Sequence, residues 1–513
     1  MMISSWQQLS EYKKDNYASG DLVDRQEMWL MDCIKHNANT EFGKLHHFSK
    51  IKTMDDYRAL VPVHSFSDLS EEISKIEKGE SDILFSGEAI AFERTSGSIA
   101  GQKLIPYSEN SLLDFRHAIL PWLSDVASEY NLTEGSAYWA ISPATRDAEV
   151  TEGGLPVGMP DAAYLGEDVI PFFHATSAVP QWVGTVSDFR EWQLATLYYL
   201  VCSRDLVFIS VWSPTFLLSL LDALQERKHD LEHILLNGGT MSGKSLAKDL
   251  LAYEILKTYY KNMNPKTLWP DLKIISCWAD ASSLPFYQQL NKQFPDVPIQ
   301  PKGLLLTEGV VTIPNQVGHT VLSADSGFYE FSDSESNIKL AHELIKGECY
   351  DVIMTTSGGL YRYRSHDRVV CDGYYSDLPI LRFVGRGDCS SDLVGEKLTE
   401  EFVTRCFDGI PGFKMLLPVH DETPGYLLVV EEQSEQSTDS VRDKVETRLF
   451  NNPHYEYACK LGQLQRLRVL RLKNPLNMYL MSPEHSGARF GDIKVPSLCI
   501  KENIFDTQIG TAA

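Results

Sequence analysis

Three segments of the chain hold residues whose types and spacing suit chemistry on a nucleotide. The first is FERTSGSIAGQK at 92–103. Thr95, Ser96, Gly97, Ser98 and Lys103 make a run of small residues that ends in a cation. Glycine lets backbone amides approach phosphate oxygens closely, hydroxyls donate to the same oxygens, and lysine adds a point charge. The GxxxxGK[ST] spacing of a Walker loop is absent, and an ordinary polar turn has the same composition. The second segment is LLLTEG at 304–309. Thr307 and Glu308 close an apolar run, where a hydroxyl and a carboxylate can hold a Mg2+ ion that bridges phosphates. A solvated turn glutamate is the plain alternative.

The third is GGLYRYRSHDRVV at 358–370, followed by LRFVGRGDCSSDLVGEKLTE at 381–400. Asp367 can accept from two adjacent ribose hydroxyls, with the flanking Tyr and Arg residues shaping the pocket. An exposed alternating strand reads the same way. Arg386 and Asp388 flank Gly387, and Gly385 and Gly387 supply backbone freedom where two domains would meet. Lys494, in GARFGDIKVP, gains meaning only in combination with the rest.

The elements that must position these residues are legible in outline. DLVDRQEMWLMDCIKHN reads as an amphipathic helix with Leu22, Met28, Trp29, Met31, Cys33 and Ile34 on one side. Residues 65–80 read as a helix closed near Gly79, and ILFSG at 83–87 as a short buried strand. SAYWAISP, DLVFISVW, HILLNGG and LKIISCW read as strands separated by helices at 187–203, 214–227 and 242–261. That alternation predicts an α/β fold with largely parallel strands. Residues 303–331 read as successive strands joined by tight turns, so an antiparallel or mixed sheet is expected there. The last 125 or so residues read as a small α+β unit: the helix TEEFVTRCFDGI, the strand GYLLVVEEQ, the helix DSVRDKVETRLFNN and the strand RLRVLRLKN.

Composition narrows the class. The 513 residues predict two or three domains. Lys plus Arg total 47 against 70 Asp plus Glu, a net charge of −23, which argues against nucleic acid or an anionic membrane as partner. Nine cysteines with no CxxC argue against a disulfide framework or a structural zinc, and point to the cytoplasm. No signal peptide and no apolar membrane span is expected. Trp139, Trp212 and Trp278 fall at or just past predicted strand ends, where ligands often sit in α/β folds, and they are the acyl-pocket candidates.

The order of the motifs resembles that of the acyl-acid amido synthetases, whose plant members conjugate auxin, jasmonate or benzoates to amino acids. These belong to the adenylate-forming superfamily of acyl-CoA synthetases, peptide-synthetase adenylation domains and luciferase. NTEFGKLHHF, LVPVHSFSDL, GESDIL, TSGSIAGQK, LLLTEG, GGLYRYRSHD, FVGRGD, GEKLTEEFV, NPHYEYACKLGQL and GDIKVP carry the resemblance over nearly the whole chain. The phosphate-type loop is one residue shorter than the usual plant pattern, with Ile99 in place of a small polar residue. Ser365-His366 stands where a glycine commonly precedes the aspartate.

The resemblance implies a large N-terminal adenylate-forming domain of mixed sheets and helices, residues 1–386, and a smaller mobile α+β C-terminal cap, residues 387–513. It assigns Ser96, Ser98 and Lys103 to phosphates, Glu308 to Mg2+, Asp367 to ribose, Arg386 to the nucleotide near the hinge, Asp388 to the hinge itself, and Lys494 to adenylation. It implies ATP and Mg2+ as cofactors, and a small carboxylic acid and an amine or amino acid as substrates. The expected reaction is acyl-adenylate formation followed by amide formation. A ligase forming thioesters with CoA or a carrier protein, or a non-catalytic adenylate-binding protein, fits the same motifs.

Overall fold

A computed structural model describes residues 3–12, 21–95, 103–140, 149–159, 163–164, 166–387, 390–421, 423–432, 437–482, 485, 490–500 and 505. Three sheets carry the candidate site. The first is four-stranded and parallel, in the order Ile299–Pro301, Ile274–Cys277, Leu206–Ser210, Ser136–Trp139. Its strands are nearly all apolar and buried, because the helices Phe189–Cys202, Pro214–Glu226 and Leu284–Gln293 pack around it. The second is a four-stranded sheet in which Ala91–Arg94 pairs antiparallel with Leu104–Tyr107.

The third sheet has seven strands, in the order Thr312–Pro314, Thr320–Leu322, Leu378–Arg386, Tyr363–Tyr375, Cys349–Thr355, Phe328–Ser332, Ile338–Leu340. Neighbouring strands in it run antiparallel, as expected for the region after residue 303. Tyr363–Tyr375 alternates buried and partly exposed along most of its length, so its odd-numbered side chains from Tyr363 to Cys371 face inward. Near the C-terminus, Lys414–Val419, Gly425–Glu431 and Arg468–Leu472 form a three-stranded sheet. One face of it, with Leu416, Tyr426, Leu428 and Val430, packs on the helices Glu400–Cys406 and Thr438–Leu449. The other, with Phe413, Met415, Leu417, Leu427 and Val429, belongs to the apolar cluster that surrounds the parallel sheet.

Several sequence expectations need correction. HILLNGG is not a strand. Its apolar residues lie in the helix Lys228–Asn237, where Leu231, Ile234 and Leu235 bury together at i, i+3 and i+4. A three-residue apolar run, Ile234–Leu236, does not distinguish the two conformations. Residues 242–261 are not one helix. Gly239–Met241 and Lys244–Leu246 form a hairpin turned by Ser242 and Gly243, both at positive φ, and the helix Leu250–Asn262 starts only after the Asp249 cap. ILFSG forms no strand. Ile83, Leu84 and Phe85 are all buried but lie in a run of bends, and the Asp82 amide donates to the Gly87 carbonyl across it. In the helix Leu22–His36 the buried stripe is Leu22, Gln26, Leu30, Cys33 and Ile34, while Met28 is 64% exposed.

Candidate active site

The first and third motifs meet on strand edges. Thr95 and Lys103 stand at the two feet of the hairpin formed by Ala91–Arg94 and Leu104–Tyr107. Thr95 N donates to the Lys103 carbonyl at 2.9 Å, and Lys103 N donates to Thr95 Oγ1 at 3.1 Å. The motif residues Ser96, Gly97 and Ser98 lie outside the described residues. Lys103 Nζ donates to Tyr363 Oη at 3.2 Å and stands 5.3 Å from the Phe66 ring centroid. Phe66 comes from the segment that bridges to the site strand through His64 and Tyr363.

Tyr363 Oη in turn donates to Glu308 Oε1 at 3.4 Å. Glu308 owes its position to a two-residue turn. Leu305–Leu306 and Gly309–Val310 form a hairpin with Leu306 opposite Gly309, so Thr307 and Glu308 are its tip. The Thr307 carbonyl is held by the Tyr107 hydroxyl. Asp367 is 1% exposed and lies directly opposite Arg386 in the ladder between Tyr363–Tyr375 and Leu378–Arg386. Asp367 N donates to Ser365 Oγ at 3.1 Å, and Arg386 Nη2 donates to the Ser365 carbonyl at 3.3 Å. His366, between them, takes a positive φ of 65°, and its carbonyl accepts from Gly387 N at 2.8 Å.

The electrostatics join these residues into one neighbourhood. Burial raises the Glu308 carboxyl above its usual range, Asp367 raises it further, and Arg386 and Lys103 oppose the shift. Burial also raises the Tyr363 phenol, with Glu308 and Asp367 pushing the same way and Arg386 opposing. A carboxyl raised by a neighbouring carboxylate, as Glu308 is by Asp367, is relieved by a cation. Among the described residues no three His, Cys, Asp or Glu side chains form a group able to hold a metal ion. That donor set fits a Mg2+ held by one or two carboxylates plus substrate phosphates, not an all-protein cage.

The remaining candidates separate. Trp139, Trp212 and Trp278 all fall at or just beyond the C-terminal ends of parallel strands. Trp212 and Trp278 pair, with ring centroids 6.0 Å apart. Trp139 packs instead on Trp6, Phe173 and Phe208, and its Nε1 donates to Thr176 Oγ1 at 3.3 Å. Lys494 Nζ lies 5.1 Å from the Trp278 centroid and 5.8 Å from that of Phe383. It therefore sits by the rings of Trp278 and Phe383. Asp388 lies outside the described residues.

Sequence reading missed three residues. Tyr363, one of the tyrosines expected to frame the Asp367 pocket, bridges Lys103 and Glu308 through its hydroxyl. Lys302 is 3% exposed, donates to Ser210 Oγ at 2.7 Å and to the Val211 carbonyl at 3.1 Å, and lies over Trp212 and Trp122. A lone lysine in QPKG gives no signal of burial. Asp114 is held by Trp29 Nε1 and Ser357 N, each at 3.2 Å, and burial lifts its carboxyl to about 7.

Comparison with known proteins bears on the whole chain. Residues 16–299 match the GH3 family N-terminal domain, and residues 320–386 match the GH3 family central domain. An indole-3-acetic acid-amido synthetase of Arabidopsis thaliana, GH3.2, is 24% identical over 424 residues, which cover 73% of this chain and 76% of that protein. A jasmonoyl–L-amino acid synthetase of Nicotiana attenuata, JAR6, is also 24% identical, over 73% of this chain and 71% of its own. The solved structure of the GH3.15 acyl acid amido synthetase superposes with a TM-score of 0.82 at 17% identity, covering 99% of this chain and 96% of the other. A 2-hydroxyisobutyryl-CoA ligase in its postadenylation state gives 0.57 at 14% identity, over 99% and 98% of the two chains. The match to the family's N-terminal domain spans more than half of the chain, and the protein belongs to the GH3 family.

Proposed function

We propose that the protein is an ATP-dependent acid–amino acid ligase that adenylates a small carboxylic acid and transfers the acyl group to an amine, with release of pyrophosphate and AMP. The observation that carries this reading is the Lys103–Tyr363–Glu308 chain beside the Asp367–Arg386 pair, in a member of a family whose relatives are named amido synthetases. Asp367 is assigned to the ribose hydroxyls, Lys103 and the Ser96–Ser98 loop to the phosphates, and Arg386 to the nucleotide on the hinge side. Thr307 and Glu308 would hold Mg2+, which when bound neutralises charge on the phosphates during transfer. Trp212 and Trp278, with Trp139 at the neighbouring strand end, are assigned to the acyl acid.

The second half-reaction needs a deprotonated amine, since an α-amino group is largely protonated at neutral pH. We assign residues 387–513 to a cap that turns about Asp388 between the two steps and carries Lys494, and we place the enzyme in the cytoplasm. Among the described residues no helix is long and apolar enough to cross a membrane. The test is ATP–pyrophosphate exchange over aromatic and aliphatic acids, followed by mass spectrometry of products formed with pooled amino acids or with CoA. Exchange with amide products supports the reading. Thioester products, or no exchange with any acid, refute it.

A further inference from the structure

Directly behind the Thr307–Glu308 turn lies a cavity of about 20 Å3. Ser111, Asp114, Thr356 and Gly358 line it together with Thr307 and Glu308. Its size suits one water molecule, since roughly 10–15 Å3 suffices to admit one. Its walls are also polar where it matters. Thr356 is 5% exposed, and its Oγ1 has no hydrogen-bond partner within the protein. Asp114 is held by Trp29 Nε1 and by both the backbone N and the side chain of Ser357, from the helix Leu22–His36 and the Thr356–Leu360 turn. A carboxylate offers about four lone-pair sites, so these three donors leave one for a water in the cavity. Buried hydroxyls without partners are rare, and a bridging water with two to four polar neighbours is the usual way such a group is satisfied.

We propose that this cavity holds one ordered water that bridges Asp114, Thr356 Oγ1 and Ser111, and that Asp114 acts through it as a positioning residue for the turn that carries Glu308. The water donates to the Asp114 carboxylate and accepts from the Thr356 hydroxyl. It fills the space behind the turn, so that Glu308 keeps its reach toward Tyr363 instead of sinking inward. The role of Glu308 rests on the function proposed above. The existence of the water does not.

Gly358 provides the decisive variant. A Cβ built there would stand 3.4 Å from the Pro106 carbonyl oxygen, 3.5 Å from Ser111 Cβ and 3.6 Å from Thr356 Oγ1, all ordinary contacts, and Gly358 is not among the positive-φ glycines. Gly358→Ala therefore enters without strain and takes the water's place. If the cavity were a dry void, filling it would raise the melting temperature. If it holds a water that two polar groups need, displacing that water lowers it. The expected result for Gly358→Ala is a fall in Tm of about 1–3 °C, with a several-fold higher Mg2+ requirement in ATP–pyrophosphate exchange. Adding Thr356→Val, which removes the hydroxyl left without a partner, should recover part of the lost Tm. A crystal structure of the wild-type protein should show density for one water at the site. An unchanged or higher Tm for Gly358→Ala, or a dry cavity in the crystal, overturns the proposal. A lower Tm with no change in Mg2+ requirement keeps the water and refutes the positioning role. If Glu308→Gln leaves exchange unaffected, the function assigned to Glu308 fails, while the Tm and crystallographic tests of the water stand.

Discussion

Removing a single oxygen, by Tyr363→Phe, tests whether the three groups around it act as a unit. The ring is fully buried, so phenylalanine retains the packing and the substitution deletes only the hydroxyl. That hydroxyl accepts from Lys103 Nζ at 3.2 Å and donates to Glu308 Oε1 at 3.4 Å. Hydrogen bonds to charged groups are worth roughly 1.5–3 kcal/mol each, but both distances lie at or past the long end of the usual range. A combined loss of about 1–2 kcal/mol is therefore expected, or about 5–30-fold in kcat/KM for ATP. The assay is ATP–pyrophosphate exchange with a productive acid, run beside a melting curve to confirm that the variant is folded. The ring and its contact with Lys103 Nζ are preserved, so the whole effect should appear in the nucleotide half-reaction. Exchange within two-fold of wild type in a fully folded variant would show that Lys103 and Glu308 do not work through this oxygen.

Other outcomes follow from the same geometry. Glu330 is 1% exposed and takes two bonds from Arg362, at 2.7 and 2.9 Å; Glu330→Gln leaves that guanidinium buried against a neutral group and should cost about 3–5 kcal/mol in urea denaturation, whereas a loss under about 1 kcal/mol would contradict the assignment. Burial raises the carboxyls of Asp114 to about 7 and of Asp222 and Asp280 to about 6. Because the folded state then binds more protons than the unfolded chain, their contribution is full below the unfolded value near 3.8 and is lost as pH rises through 6 to 7. Melting temperature should thus decline from pH 5 to 8, less steeply in Asp114→Asn, and a rise over that interval would be incompatible. Lys494→Ala should slow acyl-adenylate formation by about 10²-fold while sparing amide formation from supplied adenylate; the reverse pattern would move this lysine to the second step. Asp367→Ala should sharply weaken ATP binding measured by calorimetry, and wild-type affinity would remove it from the ribose site.

The parts of the site that depend on local spacing were legible in the sequence. A two-residue Thr-Glu tip between apolar pairs, and an aspartate in an alternating strand, are short-range patterns, and they stand where the motifs placed them. Features set by distant pairings were not. The position of Arg386 opposite Asp367 depends on the register of two strands that slips twice along its length. The burial of Lys302 depends on Trp122 and Trp212, far away in the chain. Asp114 shows the same limit, since a polar residue in a helix reads as solvent-facing until Trp29 and Ser357 are placed against it. HILLNGG failed for another reason: so short an apolar run fits a strand or a helix, and here it lies in a helix packed against Phe189–Cys202 and Leu250–Asn262.

The apolar face of the C-terminal sheet bears on the tempo of the reaction. Phe413, Met415, Leu417, Leu427 and Val429 share one cluster with the side chains around the parallel sheet. If residues 387–513 turn as the cap proposed above, such a seat keeps them from swinging as a loose flap. Each large apolar side chain uncovered costs roughly 1.5–3 kcal/mol, and every 1.4 kcal/mol or so added to a barrier slows a step about tenfold. A turn that slides the sheet along its seat, exchanging one apolar neighbour for another, keeps that cost small, while one that lifts it off does not. Turnover would then be limited by this slow interchange rather than by bond making.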